Sequence, residues 1–212
     1  MCSGRVDLAH VFRAFSNGTD GVFIGACHLN ECNYTTHGNY HALTMVSLAK
    51  KLLEHIGLNP ERLKIEFMSG SEANLFVEGV NGFVKKVKEL GPLGRGEGLD
   101  EKGLKFKLEA VTKLIPYIRL VERERLRLPA MPEEEYHKFF ASDELNRLFS
   151  ETIGDKLAIS QILLLLRERP LPTAEMAKRL GLTPSEVSRH LNTSSRQGLV
   201  RYDESRKCFA LA

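Results

Sequence analysis

Two short apolar runs, each followed by a polar loop and a helical pattern, constrain the fold of this chain most. Residues 21–26 and 63–68 have the apolar character of buried strands, and helical patterns follow them over about 40–55 and up to about residue 90. Residues 8–15 form a further helical pattern ahead of the first strand. This alternation of strands and helices predicts a parallel sheet and an α/β fold.

The middle of the chain is predicted to be helical. A glycine-rich stretch at residues 91–98 is typical of a linker, and helical spacing resumes at 104–125, where Pro116 is expected to kink the helix. After a polar break, a shorter helical pattern covers residues 136–149. We interpret residues 93–155 as a helical arm that braces or dimerises the protein, and we assign it no chemistry.

The C-terminal residues 156–212 are predicted to form three helices and a hairpin. Thr173 can cap one helix, and Thr183 with Glu186 forms the pattern of a capping box at the start of the next. The predicted elements are helices at 156–167, 174–180 and 184 to about 197, and alternating strands at 199–202 and 207–210. Three helices and a hairpin in this order resemble the winged helix-turn-helix family.

Three cysteines are candidate metal ligands. Cys27 and Cys32 have the C-x4-C spacing found in some iron-sulfur loops, and Cys27 directly follows the first predicted strand. Cys2 stands in an equivalent place, just before a helix, and ligand sites in open α/β sheets gather at the carboxyl ends of strands. Each cysteine could instead be a small buried hydrophobe, which is the role expected of Cys208 inside a predicted strand.

Composition excludes several classes of protein. An apolar fraction of 42% over 212 residues is ordinary for a globular chain, and no run of about 18 apolar residues or cleavable leader pattern is present. We therefore expect a cytoplasmic protein without membrane contact, in which four cysteines do not form a disulfide framework. The sequence also has no phosphate loop and no glycine-rich dinucleotide fingerprint.

The first ninety residues contain four short motifs: CSGRVD at residues 2–7, GVFIGACH at 21–28, CNY at 32–34 and GN at 38–39. Together these motifs resemble the delta subunit of methyl-viologen-reducing hydrogenase. The resemblance runs from residue 1 to about 92 and implies an iron-sulfur protein that passes electrons from a hydrogenase or similar donor to heterodisulfide reductase. It implies a [2Fe-2S] cluster with Cys2, Cys27 and Cys32 as ligands.

Polar groups near the cysteines are candidates for tuning such a cluster. His28, Tyr34 and the backbone amides between Cys27 and Cys32 are the nearest in sequence, although His28 could also be a surface residue. His37 and His41 have weaker support. The family often has a histidine where Asn33 stands, which puts one outer contact in doubt.

One departure from the family pattern affects both fold and ligand set. Family members carry an upstream strand and helix with a Cys-x-x-Cys pair, which does not precede Cys2 here. We expect residues 1–92 to form an incomplete flavodoxin-like parallel-sheet domain whose further ligands come from an absent N-terminal segment or a partner chain. Met1 would then be a false start, caused by a selenocysteine codon read as a stop or by a split gene.

In a DNA-reading winged helix, the third helix enters the major groove. Val187 and Leu191 would pack inward, and residues 156–212 contain ten Lys or Arg against five Asp or Glu. Arg201, Arg206 and Lys207 could meet phosphates. The alternative is a winged helix that docks protein or dimerises, because the fold does not dictate the function. The candidate groove-facing residues are Ser185, Ser188, Arg189, Asn192 and Arg196.

Three functions follow from these features. The first is an electron-carrier subunit of an oxidoreductase complex, with no substrate site of its own and with catalysis in its partners. The second is a redox- or metal-responsive transcription regulator that binds DNA through the winged helix. The third is a truncated product that folds poorly and binds nothing.

Overall fold

A computed structural model describes residues 2–34, 38–126 and 128–212. The interpretations placed on Met1 and His37 lie outside the described residues. The chain is a mixed α/β structure, mostly helical, and divides into two compact units, Met1–Arg147 and Leu148–Ala212. Within the described ranges, no helix combines the length and the apolar character needed to cross a bilayer.

The first unit contains a small parallel sheet. Strands β1 (Val22–Ala26) and β2 (Leu63–Phe67) pair in parallel, with Val22 opposite Leu63 and Ala26 opposite Phe67. Both strands and their direction agree with the sequence-based prediction. Because the strands are parallel and in this register, the loops that leave their carboxyl ends start from the same edge of the sheet.

Three helices follow the predicted order around this sheet. Helix α1 is Leu8–Ser16, α2 is Asn39–His55 and α3 is Ala73–Leu90. The N-cap of α3 is Glu72, which makes no side-chain hydrogen bond to the first turn of the helix. Its carboxylate instead accepts a hydrogen bond from the backbone N–H of Ser69 at 2.7 Å.

The helical region after residue 100 packs onto the first unit. Helix α4 (Glu101–Arg125) contacts α1, and Pro116 lies inside it without ending it. Helix α5 (Glu133–Ala141) contacts α2, where the rings of Tyr40 and Tyr136 stack with centroids 5.7 Å apart. The short helix α6 covers Asp143–Phe149. These contacts bury Leu108, Val111, Ile115, Ile118 and Tyr136.

The glycine-rich stretch predicted to be a linker is ordered around one arginine. Arg62 is fully buried at the end of a 3-10 turn, Pro60–Arg62. Its guanidinium donates to the carboxylate of Glu97 at 2.5 Å and to the carbonyls of Asp20 and Gly91 at 3.0 and 2.9 Å. Residues 91–98 therefore supply acceptors to a buried cation, a long-range role that their composition does not reveal.

The second unit has the three helices and hairpin of a winged helix-turn-helix. A π-helical turn, Ser150–Gly154, leads into the first helix. Thr183 and Glu186 form the predicted capping box, whereas the predicted cap by Thr173 was wrong, because Pro172 is the N-cap there. The elements are α7 (Asp155–Glu168), α8 (Thr173–Leu180), α9 (Pro184–Arg196), β3 (Val200–Asp203) and β4 (Cys208–Leu211), with the two strands antiparallel.

Candidate metal centre

The fold brings three thiols together at the carboxyl end of β1. Cys27 leaves the strand, Cys32 follows in a buried position of the same loop, and Cys2 precedes the 3-10 turn Ser3–Arg5. The sulfur atoms of Cys2 and Cys32 are 3.8 Å apart, and the Cys27 and Cys32 thiols are close enough for each to shift the pKa of the other. The fourth cysteine, Cys208, is buried in β4 of the second unit.

The donor set fits a thiolate-ligated metal in part. Two thiolates on one tetrahedral metal with bonds of about 2.3 Å lie roughly 3.8 Å apart, which matches the separation of the Cys2 and Cys32 sulfurs. Across residues 2–34, 38–126 and 128–212, however, no group of three or more His, Cys, Asp or Glu has the arrangement that holds a metal ion. The thiols are therefore close neighbours without the geometry of a complete site.

Cys32 lies against the N-terminus of α2. Burial would raise the pKa of its thiol, but hydrogen bonds from the backbone N–H groups of Tyr34 and Asn39, with those from the other two thiols, hold that pKa below its ordinary value. For Cys27, burial and the neighbouring Cys32 thiol raise the pKa. Cys32 is therefore the first of this pair to ionise.

Two residues at the start of α2 keep the loop close to the helix, and sequence reasoning assigned neither a role. A Cβ atom on Gly38 would lie 2.3 Å from the Cys32 sulfur, so only glycine leaves room for the sulfur there. Asn39 is fully buried and donates from its carboxamide to the carbonyls of Cys27 at 2.9 Å and His28 at 2.6 Å. The feature of the sequence that could have indicated these roles is the Gly-Asn pair at residues 38–39, directly before the predicted helix.

The three described residues that were predicted to tune a cluster, His28, Tyr34 and His41, lie in different surroundings. His28 Nε2 lies 2.6 Å from Glu72 Oε2, which joins the loop after β1 to the start of α3. Tyr34 is 63% exposed, and it is the backbone N–H of this residue that lowers the pKa of the Cys32 thiol. His41 is elsewhere on α2, with its Nδ1 3.8 Å from Glu122 Oε1.

The predicted face of α9 is exposed in the second unit. Ser185, Ser188, Asn192 and Arg196 are all exposed, while Val187 and Leu191 are buried as expected. The exposed guanidinium of Arg189 is held by Asp155, with N–O distances of 3.0 and 3.2 Å. Sequence reasoning missed His190, whose burial lowers its pKa.

Comparison with known families extends the description of the first unit. The sequence profile of the methyl-viologen-reducing hydrogenase delta subunit matches residues 1–91. A relative from Methanopyrus kandleri, the iron-sulfur subunit of the vhu F420-non-reducing hydrogenase, is 44% identical over 92 residues, which are 43% of this chain and 69% of that protein. The chain belongs to the delta-subunit family. The resemblance inferred from the cysteine motifs is therefore confirmed.

Other relatives show two settings for this delta-subunit domain. The iron-sulfur subunit of the F420-non-reducing hydrogenase of Archaeoglobus profundus is 45% identical over 91 residues, covering 43% of this chain and 66% of that protein. One subunit of the ferredoxin/F420H2-dependent CoB-CoM heterodisulfide reductase of Methanosarcina acetivorans is 39% identical over 94 residues, covering 44% of this chain but 12% of that protein. In the second relative, the same domain is a small part of a much longer polypeptide.

The second unit has a separate similarity. Residues 160–202 match the profile of the bacterial regulatory protein arsR family. This segment extends from α7 to β3 and includes the exposed face of α9. The match supports the predicted winged helix-turn-helix.

Proposed function

We propose that this protein is an iron-sulfur electron-transfer subunit of an oxidoreductase complex. The observation that carries the proposal is the convergence of Cys2, Cys27 and Cys32, with 3.8 Å between the sulfurs of the first and the last. Membership of the delta-subunit family and the iron-sulfur subunits among the relatives support the same function. Substrate chemistry would take place in the partner subunits.

The proposed cofactor is a [2Fe-2S] cluster held by Cys2, Cys27 and Cys32. Such a cluster supplies one-electron transfer when bound, and soft thiolate ligands suit its iron. A four-cysteine ligand set needs one more thiol than this trio, so we assign the remaining position to a group outside it, which a partner chain can supply. The first unit would then be a flavodoxin-like domain with the cluster at the carboxyl edge of its sheet.

The surroundings of the thiols are suited to negative charge. The backbone N–H groups of Tyr34 and Asn39 lower the pKa of the Cys32 thiol, and the N-terminus of α2 lies beside its sulfur. Donors of this kind stabilise the more negative, reduced state of a cluster and raise its reduction potential. His28, tied to Glu72, would act as an outer group near Cys27.

The proposed partners are a hydrogenase-type electron donor and heterodisulfide reductase. The relatives include hydrogenase subunits in which the matched segment is most of the chain. They also include a heterodisulfide reductase polypeptide that contains this domain within a longer chain. A domain fused to an enzyme in one relative and separate in another is consistent with transfer of electrons to that enzyme.

Anaerobic purification of the full chain tests the proposal. We expect visible absorption, an electron paramagnetic resonance signal after reduction, and iron with acid-labile sulfide. Cys2→Ser, Cys27→Ser and Cys32→Ser should each lower the iron content about tenfold or more, while Cys208→Ser serves as the control with unchanged iron. An iron-free wild-type chain, purified anaerobically and also iron-free after reconstitution with iron and sulfide, would contradict the proposal.

We propose DNA binding by the second unit as a second candidate function. The observation that favours it is the exposed face of α9, formed by Ser185, Ser188, Arg189, Asn192 and Arg196, within the segment that matches the arsR family. Arg201, Arg206 and Lys207 of the hairpin are also exposed, which suits phosphate contacts. The protein would then be a regulator whose cluster state alters its affinity for DNA.

Duplex retention separates the two candidates. The regulator predicts sequence-selective, salt-dependent binding of the full chain to fragments of its own upstream region, with an affinity that differs between oxidised and reduced protein. Binding equal to that of a scrambled duplex would contradict the regulator and leave the electron carrier intact. Co-purification with heterodisulfide reductase subunits would favour the carrier.

A further inference from the structure

Asn39 contacts both cysteine-bearing parts of the loop after β1. Its carboxamide nitrogen donates to the backbone carbonyls of Cys27 and His28, at 2.9 and 2.6 Å. Its backbone N–H, at the first position of α2, lowers the pKa of the Cys32 thiol, whose sulfur lies against this end of the helix. One residue therefore holds the start of the loop through its side chain and meets the second thiol through its backbone.

The close approach of helix and loop depends on the preceding residue. An added Cβ on Gly38 would be 2.3 Å from the Cys32 sulfur and 2.5 Å from the carbonyl oxygen of Tyr34. Neither distance is compatible with a side chain unless the loop moves away from α2. Gly38 thus allows the contact that Asn39 then makes.

Burial of Asn39 has a cost that points to a specific role. The side chain is fully buried, yet its Oδ1 atom has no hydrogen-bond partner within the described residues. A buried polar atom without a partner destabilises the fold. An apolar side chain would avoid this cost but could not donate to the two carbonyls, so the donors are what the position requires.

We propose that Asn39 is a positioning residue, which holds Cys27 and Cys32 side by side before a metal group binds and directs an N–H group to the Cys32 sulfur afterwards. This inference rests on the proposed function only for its second half. The carbonyls of Cys27 and His28 both accept a hydrogen bond from this carboxamide, so the loop is held on either side of the Cys27–His28 peptide bond. Loss of the carboxamide would release the loop from α2.

Two variants and one matched control test the first half on iron-free protein. Asn39→Ser shortens the side chain without adding charge, and Asn39→Asp keeps its shape but removes both N–H donors. Tyr40→Phe is the control, because it removes the neighbouring hydrogen bond from α2 to the same loop, Tyr40 to Asn30 at 2.7 Å, and leaves both hydrogen bonds of the Asn39 carboxamide in place. Circular dichroism first establishes that each variant is folded.

The rate at which Cys27 is alkylated, followed by mass spectrometry of its peptide, gives the first result. We expect an increase of about fivefold in both Asn39 variants, the factor that corresponds to one net hydrogen bond, and the wild-type rate in Tyr40→Phe. Folded Asn39 variants with the wild-type rate would overturn the inference. An equal increase in Tyr40→Phe would also overturn it, since the loss of any hydrogen bond between α2 and the loop would then be enough to raise the alkylation rate of Cys27.

The midpoint potential of the reconstituted cluster gives the second result. Both Asn39 variants should have a lower potential than wild type, because a displaced N–H group no longer stabilises the reduced state, and Asn39→Asp should be the lower of the two. Unchanged potentials would overturn this half. If wild-type protein binds no iron, the proposed function fails, while the alkylation rates still decide whether Asn39 positions the thiols.

A measurement on the wild type covers the case in which both Asn39 variants are unfolded. The carboxamide protons of Asn39 can be followed by NMR as they exchange with solvent. We expect them to exchange far more slowly than those of the exposed Asn192. Exchange at the same rate would show that the two hydrogen bonds do not hold the loop, and it would overturn the inference.

Discussion

Glu122 of α4 and His41 of α2 approach each other in the first unit, with 3.8 Å between Oε1 and Nδ1. Glu122 is 8% exposed, and its burial, together with the nearby charge of Asp7, raises its pKa to about 7 against the opposing effect of Arg119. Asp7 itself is hydrogen-bonded by Arg119, which lowers the pKa of Asp7 despite its partial burial. Glu122 is therefore protonated over much of the acidic range, and its contact with His41 is not an ion pair there.

Stability should fall as the pH rises through this region. The pKa of Glu122 is higher in the folded state than its ordinary value of 4.5, so the folded state binds more protons between these values. The contribution is fully present below pH 4.5 and is lost as the pH passes 7. Urea unfolding at about pH 5 and pH 7.5 should show a loss of about 2 kcal/mol in wild type that Glu122→Gln lacks. Glu124→Gln, at an exposed position of the same helix, should behave like wild type.

The lack of space beside the Cys32 sulfur predicts that replacing Gly38 by alanine reduces the iron content, whereas replacing Gly25 by alanine does not. Gly38→Ala places a Cβ 2.3 Å from that sulfur, whereas an added Cβ on Gly25 has nothing within 4 Å. We expect Gly38→Ala to cost about 1–3 kcal/mol in unfolding free energy and to reduce iron content after reconstitution. Gly25→Ala, two residues before Cys27, should retain the iron content of wild type. Equal iron in both variants would mean that the loop can leave α2 without losing the site.

The capping box of α9 predicts a local loss of stability. Thr183 Oγ1 accepts a hydrogen bond from the backbone N–H of Glu186 at 3.2 Å, and the Glu186 carboxylate accepts one from the backbone N–H of Thr183 at 2.8 Å. Thr183→Ala should cost about 1 kcal/mol, measured by hydrogen exchange of the α9 amides in the full chain. Thr193→Ala, an exposed change inside the same helix, should be neutral or slightly stabilising, because alanine has the higher helix propensity.

The hairpin predicts the salt dependence of DNA binding. If the exposed side chain of Arg201 meets a phosphate, Arg201→Ala should weaken binding to all duplexes alike and reduce the slope of log affinity against log salt by about 1. Arg13→Ala, at an exposed position of α1 in the other unit, is the matched control and should leave the slope unchanged. Fluorescence anisotropy over a range of salt concentrations measures both.

Local patterns predicted the helices and strands of this fold well, because the periodicity of a strand or a helix can be recognised within a short segment of sequence. The strands at 22–26 and 63–67 and the helices of both units agree with that prediction. The approach of Cys2 to Cys32 also agrees with it, because the first thiol precedes a helix and the second belongs to a loop at the carboxyl edge of a parallel sheet.

Long-range hydrogen bonds could not be predicted in the same way. Asn39 donates to a carbonyl eleven positions earlier in the chain, and Arg62 to acceptors about thirty positions later. Neither contact leaves a periodic pattern, so the sequence placed Asn39 only in a short motif ahead of a helix and residues 91–98 only in a linker. The N-cap residues of the helices were difficult to predict for a related reason. A serine or threonine near the start of a helix is not always its N-cap: Glu72 is the N-cap of α3, and Pro172 is the N-cap of α8.

The buried guanidinium of Arg62 bears on where this polypeptide can be divided. The family profile ends at residue 91, but two contacts connect the first unit to residues beyond that point. The carboxylate of Glu97 neutralises Arg62, and Asp20 accepts a hydrogen bond from the backbone N–H of Leu93 at 2.6 Å. A recombinant fragment that stops at residue 91 would enclose a cation without its counter-charge. For anyone who wishes to express the thiol-bearing part alone, the boundary of the homologous sequence is thus not the boundary of the folding unit.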